Sequence, residues 1–199
     1  MLRPNAKDFF TRLHNVEVNQ KYNKKLPYSF HLEMVHAQAL KFKDCLNSNQ
    51  TVADSLERTL AFEGCYGHDS IEDARLTYND IKEKFDEKLA EVIFLCTEFR
   101  GRNRSERKPD AFYNEMITNR VAVFVKLCDI IANVKFSILT NSSMLKKAST
   151  EWPRQRRFFE SFVEYTPMLT YLDRLFALDC EGYNIRMLKQ FALECEGYY

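Results

Sequence analysis

Four side chains of metal-ligating type stand far apart in this chain. His31 ends Pro27-Tyr28-Ser29-Phe30-His31, His68 and Asp69 lie in Gly67-His68-Asp69-Ser70-Ile71-Glu72-Asp73, and Asp129 ends Val125-Lys126-Leu127-Cys128-Asp129. Two imidazoles with two carboxylates suit a divalent transition ion, Mn²⁺ first with Fe²⁺ or Zn²⁺ as alternatives; a structural zinc would favour thiolates. An ion with open coordination positions lowers the pKa of a bound water to about 7, which fits hydrolysis of a phosphate ester. Glu72 and Asp73 follow within one turn, where a carboxylate can orient or deprotonate the attacking water. If this stretch is one helix, His68 and Glu72 are i, i+4 neighbours, and so are Asp69 and Asp73.

The elements that must position these residues read as helices. Only five Gly and five Pro interrupt long periodic apolar stretches, and no alternating strand is evident, so the expected class is all-α. Helices are expected over residues 5–14, 29–47, 52–66, 87–98 and 111–140, the last with a break near Thr118-Asn119. His31, Val35, Gln38 and Phe42 share one face of the second. Residues 19–27 and 99–110 read as loops. Thr77 followed by Asp80 resembles an N-cap, and Pro153 is expected to open a late helix that Pro167 interrupts. Lys126, Asp129 and Asn133 fall at i, i+3 and i+7, a polar stripe on an apolar helix. Burying such groups without partners costs about 1–3 kcal/mol each, so the stripe suggests a lined cavity.

Bulk properties leave the class of partner open. The 199 residues suggest one domain, residues 1–175, with 176–199 as its helical tail. That tail repeats Leu-x-Cys-Glu-Gly-Tyr at 178–183 and 193–198, too few copies for a solenoid. A formal charge of +1 gives no global pull toward nucleic acid, which is not expected as a partner. The basic run of Arg100, Arg102, Arg104, Arg107 and Lys108 reads as a solvated loop before a binding site. His14 and His36 read as ordinary interface or surface histidines. Six cysteines without a CxxC pair read as reduced thiols. With no signal-peptide core and no 18-residue apolar window, a cytoplasmic protein without a membrane span is expected.

Taken singly, a His-Asp dipeptide is commonplace and Asp129 could be a surface charge; the joint pattern is more specific. His…His-Asp…Asp resembles the signature of HD-domain phosphohydrolases, and within them the SpoT-type alarmone hydrolases, including the small stand-alone alarmone hydrolases like the metazoan SpoT homologue. Pro27-Tyr28-Ser29-Phe30-His31 resembles their Pro-Tyr-x-x-His. His68 to Asp73 resembles His-Asp-[Thr/Ser]-[Ile/Val]-Glu-Asp. Thr97-Glu98 with Glu106-Arg107-Lys108, and Val125 to Asp129 with Asn133, resemble two further segments, so the likeness spans residues 20–136.

The resemblance implies an HD-domain helical bundle that binds one Mn²⁺ through His31, His68, Asp69 and Asp129. It implies removal of the 3′-pyrophosphate from the stringent-response alarmone (p)ppGpp, with Glu72 and Asp73 activating water. It further implies that Lys126 and Asn133 line the nucleoside side, and that Lys21, Arg107, Lys108 and Arg156 face phosphates, a role suited to cations. The chain departs from the family in a longer gap between His31 and His68 and in lacking Arg-Arg-Lys before Pro27. Two alternatives stay open: a phosphatase for another nucleotide such as NADPH, and a catalytically weak HD protein that binds a nucleotide or protein partner.

Overall fold

The computed structural model describes residues 3–46, 51–99, 101–140 and 142–180. It is helical apart from one short ribbon among these residues, as the all-α expectation requires. The chain divides into two compact units, residues 1–129 and 130–199.

In the first unit α1 (Ala6–Arg12) runs on into a π-helical turn, Leu13–Glu17. Then come β1 (Lys21–Tyr22), β2 (Leu26–Pro27) and α2 (Ser29–Lys41), followed by α3 (Val52–Gly67), α4 (Ser70–Asp73), α5 (Tyr78–Lys84) and α6 (Glu87–Cys96). The unit ends with α7 (Arg104–Arg107), α8 (Asp110–Met116) and the first part of α9 (Arg120–Thr140). The break expected near Thr118-Asn119 separates α8 from α9. Residues 19–27, expected as a loop, instead pair as an antiparallel ribbon, Tyr22 opposite Leu26. Asn23 and Lys24 turn it with φ of 47° and 65°, a sign pattern that matches the twist of a hairpin. Within the 99–110 stretch the four residues of α7 form a single helical turn.

Local chemistry sets the helix ends. Thr51 with Asp54 and Thr77 with Asp80 form capping boxes at the starts of α3 and α5, and Asp86 caps α6. Helix α3 packs on α1, α2 and α6, and Phe10, Leu32, Tyr66, Ile81, Phe85, Leu89 and Ile93 form the core beside it. Two glycines allow this approach. A Cβ on Gly67 would stand 2.3 Å from Ile93 Cδ1 and 2.9 Å from the Phe10 ring, and one on Gly64 would stand 3.0 Å from Val92.

His68 and Glu72 do not share one helix, and the helix expected over 52–66 ends one residue past that range. α3 stops at Gly67, and Asp69 takes φ −97° and ψ 0° before α4 begins. Two side chains take carbonyls that a continuing helix would use. The His68 Nδ1–H donates to the Cys65 carbonyl at 2.9 Å, and the Ser70 hydroxyl donates to that of Gly67 at 2.6 Å.

In the second unit α10 (Met144–Phe159) and α11 (Thr166–Cys180) follow the end of α9. Pro153 does not open a helix; it lies inside α10, where it removes the bond to the Ser149 carbonyl and its ring crowds that carbonyl. Trp152 Nε1–H donates to Asp173 at 2.7 Å, and the ring stands 5.8 Å from Phe176, which ties this stretch to α11. Pro167 sits in the first turn of α11, where a missing N–H has no helical partner to lose, so it starts that helix instead of interrupting it. Residues 47–50, the end of the first copy of the C-terminal repeat and all of the second lie outside the described residues. No helix among the described residues is long and apolar enough to cross a membrane.

Gly67→Ala is expected to destabilise the protein by about 1–3 kcal/mol through overpacking and to lower the melting temperature by several degrees in calorimetry. An unchanged melting temperature would contradict the close approach of α1, α3 and α6.

Candidate metal centre

Three separate elements of the first unit deliver the four expected ligands to one place. α2 carries His31, the turn after α3 carries His68 and Asp69, and α9 carries Asp129. In a regular helix adjacent side chains diverge by about 100°. Across the end of α3 the two side chains still meet at their tips, with Asp69 Oδ2 2.9 Å from His68 Nε2.

The remaining spacings are similar. His31 Nε2 lies 3.3 Å from His68 Nε2, 3.5 Å from Asp69 Oδ2 and 3.4 Å from Asp129 Oδ1. Asp129 Oδ1 lies 3.7 Å from His68 Nε2. Ligands about 2.1 Å from a shared ion stand about 3.0–3.4 Å apart in octahedral or tetrahedral arrangements. His31, His68 and Asp69 each offer a ligand atom within 4.8 Å of the others, a group in type and spacing that could hold a divalent ion, and Asp129 approaches both histidines beside it. His31 and His68 are 2% and 1% exposed. In the neutral ring, the bond from His68 Nδ1–H to Cys65 leaves the Nε2 lone pair for the cluster.

The electrostatics are those of a cation trap. Burial opposes ionisation of Asp69, but His68 and His31 outweigh it and hold the carboxyl well below its usual range. Burial likewise opposes ionisation of Asp129, which Lys126, His31 and His68 reverse. The same pairing raises both histidines against burial: Asp129 and Asp69 act on His31, and Asp69 and Asp129 on His68. Lys126 Nζ lies 3.1 Å from Asp129 Oδ2; burial would lower its pKa, but Asp129 and Glu98 raise it.

Glu72 and Asp73 diverge in surroundings. Asp73 Oδ2 accepts from Gln20 Nε2 at 2.8 Å and stands 3.2 Å from the Tyr28 hydroxyl. Glu72 faces a second charge cluster: its Oε2 accepts from the Glu98 N–H at 3.4 Å, and its Oε1 lies 3.6 Å from Arg107. Burial, then Glu98 and Asp69, push the Glu72 carboxyl above its usual range. Glu98 itself is held low, because Lys126, Lys108 and Arg107 outweigh its burial.

The expected phosphate contacts are thus spread. Lys21 is exposed on β1. Lys108 is buried and pairs with Glu98 at 2.5 Å, and Arg107 stands 3.5 Å from the same carboxylate. Asn133 and Arg156 belong to the second unit, where Arg156 bonds Asp173 and Glu160, each at 3.0 Å.

Several neighbours of the centre carried no assignment from sequence. Tyr28 donates to Asp69 Oδ2 at 2.5 Å, and Tyr22 stacks on His31 at 4.8 Å with planes 12° apart. The position of Tyr28 inside Pro-Tyr-x-x-His was the available signal. His14 is not a surface histidine: it is fully buried and stacked on Tyr28. Nothing in its local sequence marks it.

No protein-family model matches the chain, and no curated protein matches its sequence.

Chains loaded with Mn²⁺ and desalted are expected to retain one ion per protein by mass spectrometry. His68→Ala and Asp69→Ala should abolish retention, whereas Glu72→Gln should keep it. Full retention by Asp69→Ala would remove Asp69 from the ligand set.

Proposed function

We propose that the chain is a metal-dependent phosphohydrolase of the HD type. It removes the 3′-pyrophosphate from (p)ppGpp, or from a related alarmone such as (p)ppApp, giving GDP or GTP and pyrophosphate. The observation that carries this reading is the meeting of His31, His68-Asp69 and Asp129, from three distant stretches, at the spacing of a single ion's ligands. The order of those stretches and the Glu-Asp after His-Asp support the alarmone branch.

His31, His68, Asp69 and Asp129 would hold Mn²⁺, with Fe²⁺ or Zn²⁺ as alternatives. When bound, the ion supplies Lewis-acid polarisation and acidifies water. Glu72 takes the proton of the attacking water. The water oxygen bonds the phosphorus next to the ribose as the bond from that phosphorus to the 3′ oxygen breaks, and the 3′ oxygen leaves as a hydroxyl by taking a proton from solvent water. A carboxylate with raised pKa is a better proton acceptor near neutral pH than an ordinary one. Asp73, already bonded by Gln20 and beside the Tyr28 hydroxyl, orients groups at the centre. Lys21, Arg107 and Lys108 supply cations of the first unit for the phosphates.

The test is a nucleotide screen with purified protein and Mn²⁺. Pyrophosphate from ppGpp is expected. Orthophosphate from NADPH without turnover of ppGpp would assign a different phosphatase, and turnover of neither would sink the hydrolase reading.

The pH–rate profile gives a sharper check. The rate should fall as pH drops through the raised Glu72 pKa, because the protonated carboxyl accepts nothing. The Glu98 charge favours that protonated form, so Glu98→Gln lowers the Glu72 pKa. The acid limb of kcat should therefore move to lower pH in this variant; a limb that stays in place or moves up would contradict the assignment of Glu72.

A further inference from the structure

The Tyr28 hydroxyl has one proton and two carboxylate neighbours. It donates to Asp69 Oδ2 at 2.5 Å and stands 3.2 Å from Asp73 Oδ2. Asp73 has a second donor, Gln20 Nε2 at 2.8 Å. The two ends of a glutamine amide have nearly the same shape, so something must select which one faces Asp73. An ionised carboxylate only accepts, so the NH₂ end faces it and Oε1 points away.

That oxygen meets His14 Nδ1 at 2.6 Å, and Nδ1 must therefore carry the proton. His14 is fully buried, its ring lies 4.7 Å from that of Tyr28 at 21°, and burial pushes its pKa down. Its Nε2 has no hydrogen-bond partner, as expected of a neutral imidazole with its only proton on Nδ1. His14, Gln20 and Asp73 thus form a relay that reaches a proposed metal ligand, Asp69, through the Tyr28 hydroxyl. Neither His14 nor Gln20 belongs to the donor set.

We infer that Gln20, oriented by His14, is a positioning residue: by satisfying Asp73 it leaves the Tyr28 proton to Asp69 and so fixes that ligand. Without the Gln20 donor, Asp73 becomes the less satisfied acceptor and draws the Tyr28 hydroxyl to itself. Asp69 then loses the bond that sets its orientation. Partners of this kind typically change metal affinity or activity by about 10–100-fold when removed. The inference rests on the proposed metal-dependent hydrolase and adds a device specific to this chain.

The experiment uses the full chain with Gln20→Met, which keeps side-chain length and removes both polar ends, alone and combined with Tyr28→Phe. Three quantities are read: the Mn²⁺ affinity of EDTA-stripped protein by calorimetry with MnCl₂, kcat and KM for ppGpp, and the melting temperature of stripped protein. Gln20→Met should weaken Mn²⁺ binding about tenfold and lower kcat by a similar factor, with KM within about twofold. In the Tyr28→Phe background the same change should leave Mn²⁺ affinity and kcat where Tyr28→Phe put them, because the proton it governs is gone. His14→Phe keeps the stack, removes the donor and should match Gln20→Met. Wild-type Mn²⁺ affinity in Gln20→Met, or an equal loss with and without Tyr28, would overturn the inference. If the wild type binds Mn²⁺ but leaves ppGpp intact, the substrate reading fails and the Mn²⁺ comparison still decides. If it binds no Mn²⁺, the hydrolase reading fails, and the melting temperatures decide whether Gln20 acts through Tyr28.

Discussion

Asp69 and Asp129 are two carboxylates buried against the same pair of imidazoles, and they repel each other. An unpaired buried charge is among the costliest features a fold can hold. The centre of the first unit cancels that cost on every side. His31 and His68 stand between the two acids, Lys126 neutralises Asp129 from α9, and Tyr28 donates to Asp69. The pair is tolerable only with positive charge between it, which is also what a divalent cation provides. Stability of this region and affinity for an ion therefore draw on the same arrangement.

That arrangement depends on how α3 ends. Gly67 lets α3 lie close to α1 and α6, and the side chains of His68 and Ser70 take the carbonyls that would have carried the helix further. The chain turns, and two adjacent residues that a helix would splay apart reach the same cluster. Packing, capping and ligand geometry are settled within seven residues. Beyond them the surroundings of Glu72 and Asp73 separate: one faces Glu98 and Arg107, the other Gln20 and Tyr28.

Much of this was legible in the sequence because it is local. The apolar face of α2, the break between α8 and α9 and the Thr77–Asp80 cap depend on residues a few positions apart, and the structure has them. The four candidate ligands were legible as residue types in a recurring order. What the sequence did not show is set by contacts across the chain. Whether residues 68–72 continue a helix depends on side chains competing for carbonyls. The pairing of residues 21–22 with 26–27 depends on left-handed turn residues that no periodicity announces. Pro153 sits inside α10 because Trp152 and Arg156 bond Asp173, twenty-one and seventeen positions away. His14 carries no local mark because its burial comes from Tyr28, fourteen residues downstream.

The most direct test of the account is anomalous diffraction at the manganese edge from crystals grown with MnCl₂. The account predicts one strong peak in the first unit, about 2.1 Å from Nε2 of His31 and His68 and bound by carboxylate oxygens of Asp69 and Asp129. A peak elsewhere, or no peak from crystals diffracting well enough to show one, would contradict it.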